Sequence, residues 1–303
     1  MMAMTLPKIV GWSNNGPSNQ MRWAPNRSTF PLKAFQVLTV SGATVVEPYE
    51  LEKPEPGAGE IGLKIHAAGL NRGEFIVGGV MHGAAGKPGG TEAAGEITTV
   101  GEGVTDWKIG DRVMGRLFGG GGGFAEHAVM QAHQAMRVPQ HFSWEQAAAE
   151  PSSYMAAYDA VMTGGALKSG DWMLVTAASS AVGAASVQIA KAIGGQTIGT
   201  SGSDTKLDIL KQNGLDIGIT TRKPDFAAMV SDIAPDGIAL AVNCVGGSMF
   251  NECMSVLGHL GRLATVGYVD GVHSADLNLR ELHANRNIVF GISNGRRTPM
   301  QHA

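Results

Sequence analysis

Cysteine is almost absent from this chain: Cys244 and Cys253 are the only two. One falls in an apolar run that reads as a strand and the other in a helical pattern, which describes buried thiols in a reducing compartment and excludes a disulfide framework. A structural zinc site, which needs about four clustered ligands, is excluded for the same reason. Charge is also scarce, with 16% charged residues and a net charge of −3. That balance gives no support to nucleic acid or any other polyanion as a partner. Long apolar runs are missing too. The longest are of strand length and are broken by Gly or Ser, so no membrane span is expected and the protein reads as soluble and cytoplasmic. The first 46 residues lack any Asp or Glu, up to Glu47. Prolines at 7, 17, 25 and 31 break that leader, and no apolar segment for secretion is present. Residues 1–31 are therefore expected to be a disordered tail, an artefact of the start site in preference to an organelle transit peptide.

What is present is an ordinary globular composition, 44% apolar, long enough for two domains. Apolar segments at 34–40, 44–46, 60–66, 95–100, 112–115 and 124–129 are short and separated by Pro and Gly, and predict a compact, partly barrel-like β domain over residues 32–155. Ser143 with Gln146 predicts a capping box opening a helix. Residues 156–303 then alternate strand and helix, as a doubly wound parallel sheet does.

The most informative segment is Trp172-Met173-Leu174-Val175 followed by Thr176-Ala177-Ala178-Ser179-Ser180-Ala181-Val182-Gly183, an apolar strand that runs through small residues into a helix. A helix N-terminus offers unpaired N–H groups and a positive dipole end, so a pyrophosphate can dock there if no bulky side chain intervenes. The G-x-G-x-x-G spacing is met by Ala178, Ser180 and Gly183, with glycine kept at the helix–strand packing position. Ala178 through Gly183 are thus the first candidates for a dinucleotide site. A carboxylate that would hold the ribose hydroxyls of NAD is missing from the tip of the next strand, which reads Gly199-Thr200-Ser201-Gly202-Ser203. Lys206 and Arg222 face a 2′-phosphate in this reading, with Ser201 at the strand tip as a further cofactor candidate, although Asp204 stands close by. NADPH is the expected cofactor.

Several motifs in fixed order carry a family likeness: Ala68-Gly69-Leu70-Asn71-Arg72-Gly73-Glu74, Gly90-Thr91-Glu92-Ala93-Ala94-Gly95, Val100-Gly101-Glu102-Gly103-Val104, Gly110-Asp111-Arg112-Val113, Gly122-Gly123-Phe124-Ala125-Glu126-His127 and Asn243-Cys244-Val245-Gly246-Gly247. From about Lys33 onward the chain resembles the medium-chain dehydrogenase/reductase superfamily, in its zinc-free branch of quinone oxidoreductases, ζ-crystallin and enoyl reductases. The resemblance implies an α/β architecture: a GroES-like β-rich catalytic domain plus a Rossmann doubly wound parallel-sheet domain. Zinc-dependent relatives place metal ligands on the loop at Leu70-Asn71-Arg72, at the position of Thr91 and at that of Ser152, and none of these residues is such a ligand, so no metal is expected. Their four-cysteine lobe is replaced by Phe118 and the run 119–123. The implied reaction is hydride transfer from NADPH to a quinone or α,β-unsaturated carbonyl, an acceptor electron-poor enough to need no Lewis acid.

The resemblance supplies Asn71 and His82 as catalytic candidates, the first facing nicotinamide and substrate, the second near the tyrosine proton donor of enoyl reductases. It adds Asn243, Val245, Gly267 and Tyr268 to the cofactor contacts. It also implies a homodimer formed along the last strand. Relatives continue beyond the sixth Rossmann strand, whereas this chain ends at Ala303 just as a helix is expected to begin. The C-terminal return segment of the catalytic domain is therefore expected to be missing. That makes a catalytically impaired, crystallin-like NADPH-binding protein the alternative.

Overall fold

The computed structural model describes residues 3–5, 32–76, 88–117 and 122–296. The chain divides into two compact units, the division falling between Ser152 and Ser153.

The first unit is built from strands. β1 (Ala3–Thr5) lies inside the stretch expected to be a disordered tail, and instead pairs antiparallel with Ala67, Ala68 and Gly69; residues 6–31 lie outside the described residues. β2 (Leu32–Val40) and β3 (Ala43–Leu51) form a hairpin through Ser41 and Gly42, both at positive φ, as a two-residue hairpin loop of matching twist requires. β3 is longer than expected and runs through Pro48. A proline is tolerated there because the sheet has only two strands, so the missing N–H can face away from the ladder.

β4 (Glu60–Gly69), α1 (Arg72–Ile76), β5 (Glu92–Val100), β6 (Arg112–Arg116), β7 (His127–Gln131) and β8 (Met136–Arg137) follow. The sheet runs β1-β4-β5-β6-β8, and β7 also pairs with β4, over Glu60–Lys64. Inward residues Ile61, Leu63, Ile65, Ile97, Val113, Phe124 and Met130 fill its core. α2 (Trp144–Ala149) closes the unit with the expected capping box: Ser143 Oγ accepts from Gln146 N and Gln146 Oε1 accepts from Ser143 N. Two histidines of this unit lie within its packing: His66 stacks on Trp144 at 4.5 Å, and His127 pairs opposite Lys64.

α3 (Pro151–Tyr158) runs on into a π-helical turn at Asp159–Thr163. The second unit then alternates β9 (Trp172–Val175), α4 (Ala181–Ala192), β10 (Gln196–Ser201), α5 (Asp204–Gln212), β11 (Ile217–Thr220), α6 (Ala227–Ile233), β12 (Ile238–Asn243), α7 (Phe250–Ser255), β13 (Leu257–Thr265), α8 (Leu279–Asn285) and β14 (Ile288–Gly291). The strands are parallel, in the order β11-β10-β9-β12-β13-β14. This is the dinucleotide-fold order, in which ligands bind at the carboxyl ends of the two central strands where the winding reverses. Alternation along β9 explains the layers. Met173 and Val175 pack with Val187 of α4 and Leu207 of α5, while Leu174 packs on the opposite face with Val230 of α6 and Cys253 of α7. Among the described residues no helix is long and apolar enough to cross a membrane.

Asp216, between α5 and β11, ties three elements together by accepting from Lys191 Nζ (2.8 Å), Thr197 N (2.9 Å) and Thr197 Oγ1 (3.0 Å). Burial alone would raise its pKa, but the hydrogen bonds from Lys191 and Thr197 outweigh it and hold the carboxyl below its ordinary value. A depressed acid stabilises the fold above its unfolded pKa and loses that contribution as pH falls through the folded value. Asp216→Asn is expected to cost about 1 kcal/mol at neutral pH, a modest figure because solvent screens the carboxylate. Urea denaturation of both proteins at neutral and acid pH checks it: the difference shrinks on acidification.

Candidate functional site

The turn after β9 is held open by its neighbour strand. Ala177 N donates to Thr200 Oγ1 at 3.3 Å and Ala178 N to Thr200 O at 2.8 Å. Ala177 takes a left-handed φ of 47°, which turns the chain sharply into α4. Ser180 caps that helix, its Oγ accepting from Gly183 N at 3.2 Å. The N–H groups of Ala181 and Val182 have no acceptor among the described residues, the orphan donors a helix start leaves for an anion. Gly183 sits where a Cβ would lie 2.7 Å from the carbonyl oxygens of both Ala177 and Ala178, so only glycine lets the helix approach the turn this closely. Beneath it, burial pushes the Cys244 thiol up to about 12, against a hydrogen bond with Ser180. Cys244 is a neutral floor here and no nucleophile.

The other expected cofactor residues fall on the same unit. Ser201, at the end of β10, has its Oγ 3.1 Å from that of Ser179. Arg222 lies across Gly202, so closely that a Cβ there would collide with its guanidinium stem. Arg222 and Lys206 are exposed and form no ion pair among the described residues. Asp204, the acid that weighed against a phosphate, instead bonds Thr220 Oγ1. Asn243 is buried, and its side chain is spent on its own loop and the β9 turn: Oδ1 accepts from Thr176 Oγ1, Val245 N and Gly246 N, and Nδ2 donates to Gly246 O. Val245 and Gly267 flank Cys244, and Tyr268 is 50% exposed with its ring 4.9 Å from His273. A backbone cradle, two serines and an unpaired guanidinium fit a dinucleotide phosphate.

The first unit carries a second cluster. Asn71, from the loop where zinc-dependent relatives carry their first ligand, and Ser152 meet at one carboxylate, with Thr91 beside them. Glu92 Oε1 accepts from Asn71 Nδ2 at 2.8 Å and Oε2 accepts from Ser152 N at 2.7 Å, while Asn71 Nδ2 also faces Thr91 Oγ1 at 3.5 Å. Glu74 supports the same loop from behind, taking Thr91 N at 2.6 Å and Asn71 N at 3.3 Å. Both glutamates are 2% exposed, and neither was assigned a role from sequence. The signal was an acid flanked by small residues, in Thr91-Glu92-Ala93-Ala94. Gly69 makes room, because a Cβ there would strike the Glu92 carboxylate. His82 lies outside the described residues, as does the stretch 118–121. Among the described residues no group of three or more His, Cys, Asp or Glu is placed to hold a metal.

Burial raises the pKa of both acids: of Glu74 against hydrogen bonds from Thr91 and Asn71, of Glu92 against those from Ser152 and Asn71. The native state therefore holds protons that the unfolded chain releases. The stability contribution of these groups is greatest below the ordinary value of 4.5 and declines as pH rises through it toward the folded value. Chemical denaturation across this acid range is expected to show that decline in the wild type and a flatter profile in Glu74→Gln.

Comparison with known proteins accords with this geometry. Residues 57–140 match the family described as alcohol dehydrogenase GroES-like domain, and residues 181–303 match zinc-binding dehydrogenase. The human synaptic vesicle membrane protein VAT-1 homolog is 31% identical over 232 residues, covering 76% of this chain and 58% of that protein. This chain thus spans little more than half the length of that relative. Human quinone oxidoreductase is 28% identical over 269 residues, covering 86% of this chain and 80% of its own. Among solved structures, a quinone oxidoreductase from Pseudomonas syringae superposes with a TM-score of 0.77 at 27% identity, covering 87% of this chain and 82% of that one. The Escherichia coli quinone oxidoreductase complexed with NADPH gives 0.76 at 25% identity, covering 90% and 84%. The chain belongs to the medium-chain dehydrogenase/reductase superfamily, with a GroES-like domain and a Rossmann-type parallel-sheet domain.

Proposed function

We propose that this protein is a zinc-independent oxidoreductase that moves a hydride from NADPH to a quinone or α,β-unsaturated carbonyl. The observation that carries this reading is the residue set at Asn71, Thr91 and Ser152: an amide tied to Glu92, a threonine tied to Glu74 and a serine whose backbone N–H is tied to Glu92 stand where a catalytic metal would need thiolate or imidazole. When bound, reduced nicotinamide supplies the hydride. The chain's own contributions are the α4 N-terminus and Ser179–Ser201 holding phosphate, Arg222 and Lys206 selecting the 2′-phosphate, and the Asn71 side-chain amide taking part in a hydrogen bond at the reacting end. An acceptor that is already electron-poor needs no cation to polarise it. Similarity to quinone oxidoreductases, one of them solved with NADPH, supports the reading.

We also place the protein in the cytoplasm as a homodimer. β14 pairs only with β13 among the described residues, and Ile288 on it is 41% exposed, so a second copy would cover an open sheet edge.

Cofactor choice gives a direct test. Arg222→Glu is expected to weaken NADPH binding about 10- to 100-fold, roughly 1.4–2.7 kcal/mol, while leaving NADH within about threefold. Equal losses for both nucleotides in fluorescence titrations would remove the assignment of Arg222.

A further inference from the structure

We infer that Glu92 is a positioning residue that fixes the polarity of Asn71, so that the Asn71 amide presents a hydrogen-bond acceptor to a ligand hydroxyl. The inference rests on the proposed oxidoreductase reading for its ligand, though not for its geometry.

An asparagine side chain has two N–H donors and one carbonyl acceptor, and a half-turn about its last torsion exchanges them. Here one Nδ2 proton is taken by Glu92 Oε1 at 2.8 Å and the other faces Thr91 Oγ1 at 3.5 Å. Oδ1 has no donor among the described residues. The reverse orientation would set Oδ1 against a carboxylate oxygen, two acceptors at hydrogen-bonding distance. Glu92 is held in place, since its other oxygen accepts from the Ser152 backbone N–H at 2.7 Å and its carboxylate packs directly against Gly69. The Asn71 main chain is equally fixed: its N–H donates to Glu74 Oε2 at 3.3 Å, and its carbonyl accepts from Glu74 N at 3.0 Å. Charged groups around Glu92 are Glu74, Glu150 and Arg116. An acceptor suits a hydroxyl, either of the cofactor's ribose or of the enol or hydroquinone formed by reduction. It does not suit a substrate carbonyl, which needs a donor.

Glu92→Gln tests this with little change of shape. A glutamine side chain has one acceptor oxygen and one NH2 group. The Ser152 N–H cannot turn, so the amide oxygen introduced by the substitution must face it and the NH2 must face Asn71, which then flips and presents donors outward. Measurements of NADPH Kd, and of kcat and KM for a simple quinone, on wild type, Asn71→Ala, Glu92→Gln and the double variant form a cycle. The two single variants are each expected to lose about tenfold, and the double variant no more than Asn71→Ala alone. A loss in Kd identifies the ribose hydroxyl, and a loss in kcat at unchanged Kd identifies the product hydroxyl. Additive losses overturn the inference. Should no turnover or binding be found, the geometry is still decided on the protein alone. The Asn71 side-chain NH2 resonances, assigned by their disappearance in Asn71→Ala, should be protected from solvent exchange in wild type and lose that protection in Glu92→Gln. Fast exchange in wild type would contradict the lock whatever the protein's activity.

Discussion

Gly183→Val is expected to lower nucleotide affinity at least about 100-fold, some 2.7 kcal/mol. Any Cβ at this position meets backbone, 2.7 Å from two carbonyl oxygens and 2.8 Å from Ala178 Cα. Backbone cannot swing aside as a flexible side chain would, so α4 must withdraw from the turn. The Ser180 cap and the orphan N–H groups of Ala181 and Val182 move with it. Overpacking of this kind also costs about 1–3 kcal/mol of stability. Titration of the folded variant, with its unfolding midpoint measured in parallel, separates the two effects. A folded variant that binds as the wild type does would mean the phosphate docks elsewhere.

The second large effect falls on the other unit. Glu92→Ala removes the acceptor shared by Asn71 and the Ser152 backbone, leaves a void beside Gly69, and strands a buried loop whose remaining support is Glu74. Each donor deprived of its partner costs about 1–3 kcal/mol, offset in part because an acid no longer has to be buried. A net loss of about 2–4 kcal/mol is expected, lowering the unfolding temperature by about 4–16 °C. Glu92→Gln keeps the volume and most of the bonds and should recover most of that stability. Calorimetry of the two variants checks the order. Equal damage from both would show that charge, and not hydrogen bonding, holds the cluster.

The parts of this fold that sequence revealed are those decided locally. The β9 turn was legible because an apolar strand, small residues and a helix follow one another within some twenty positions. The Ser143 capping box was legible because its two partners lie three residues apart. Strand ends were less so. β3 runs through Pro48 because its sheet has only two strands, and β1 exists only through pairing with Ala67–Gly69. Neither fact has a local cause. The site divided in the same way. Asn71 was named from its loop, but Glu74 and Glu92 looked like ordinary charges, since burying an acid depends on donors that arrive from Asn71, Thr91 and Ser152, up to 60 residues away. Asn243 shows the converse, because its amide folds residues 243–246.

The most direct test of the central claim follows NADPH consumption by the intact chain with a simple quinone, in the presence and absence of a metal chelator. Saturable oxidation unaffected by the chelator, and lost in Gly183→Val, is the expected result. Binding without turnover would support the crystallin-like alternative and turnover abolished by the chelator a metal enzyme, and either would contradict metal-free hydride transfer by this protein.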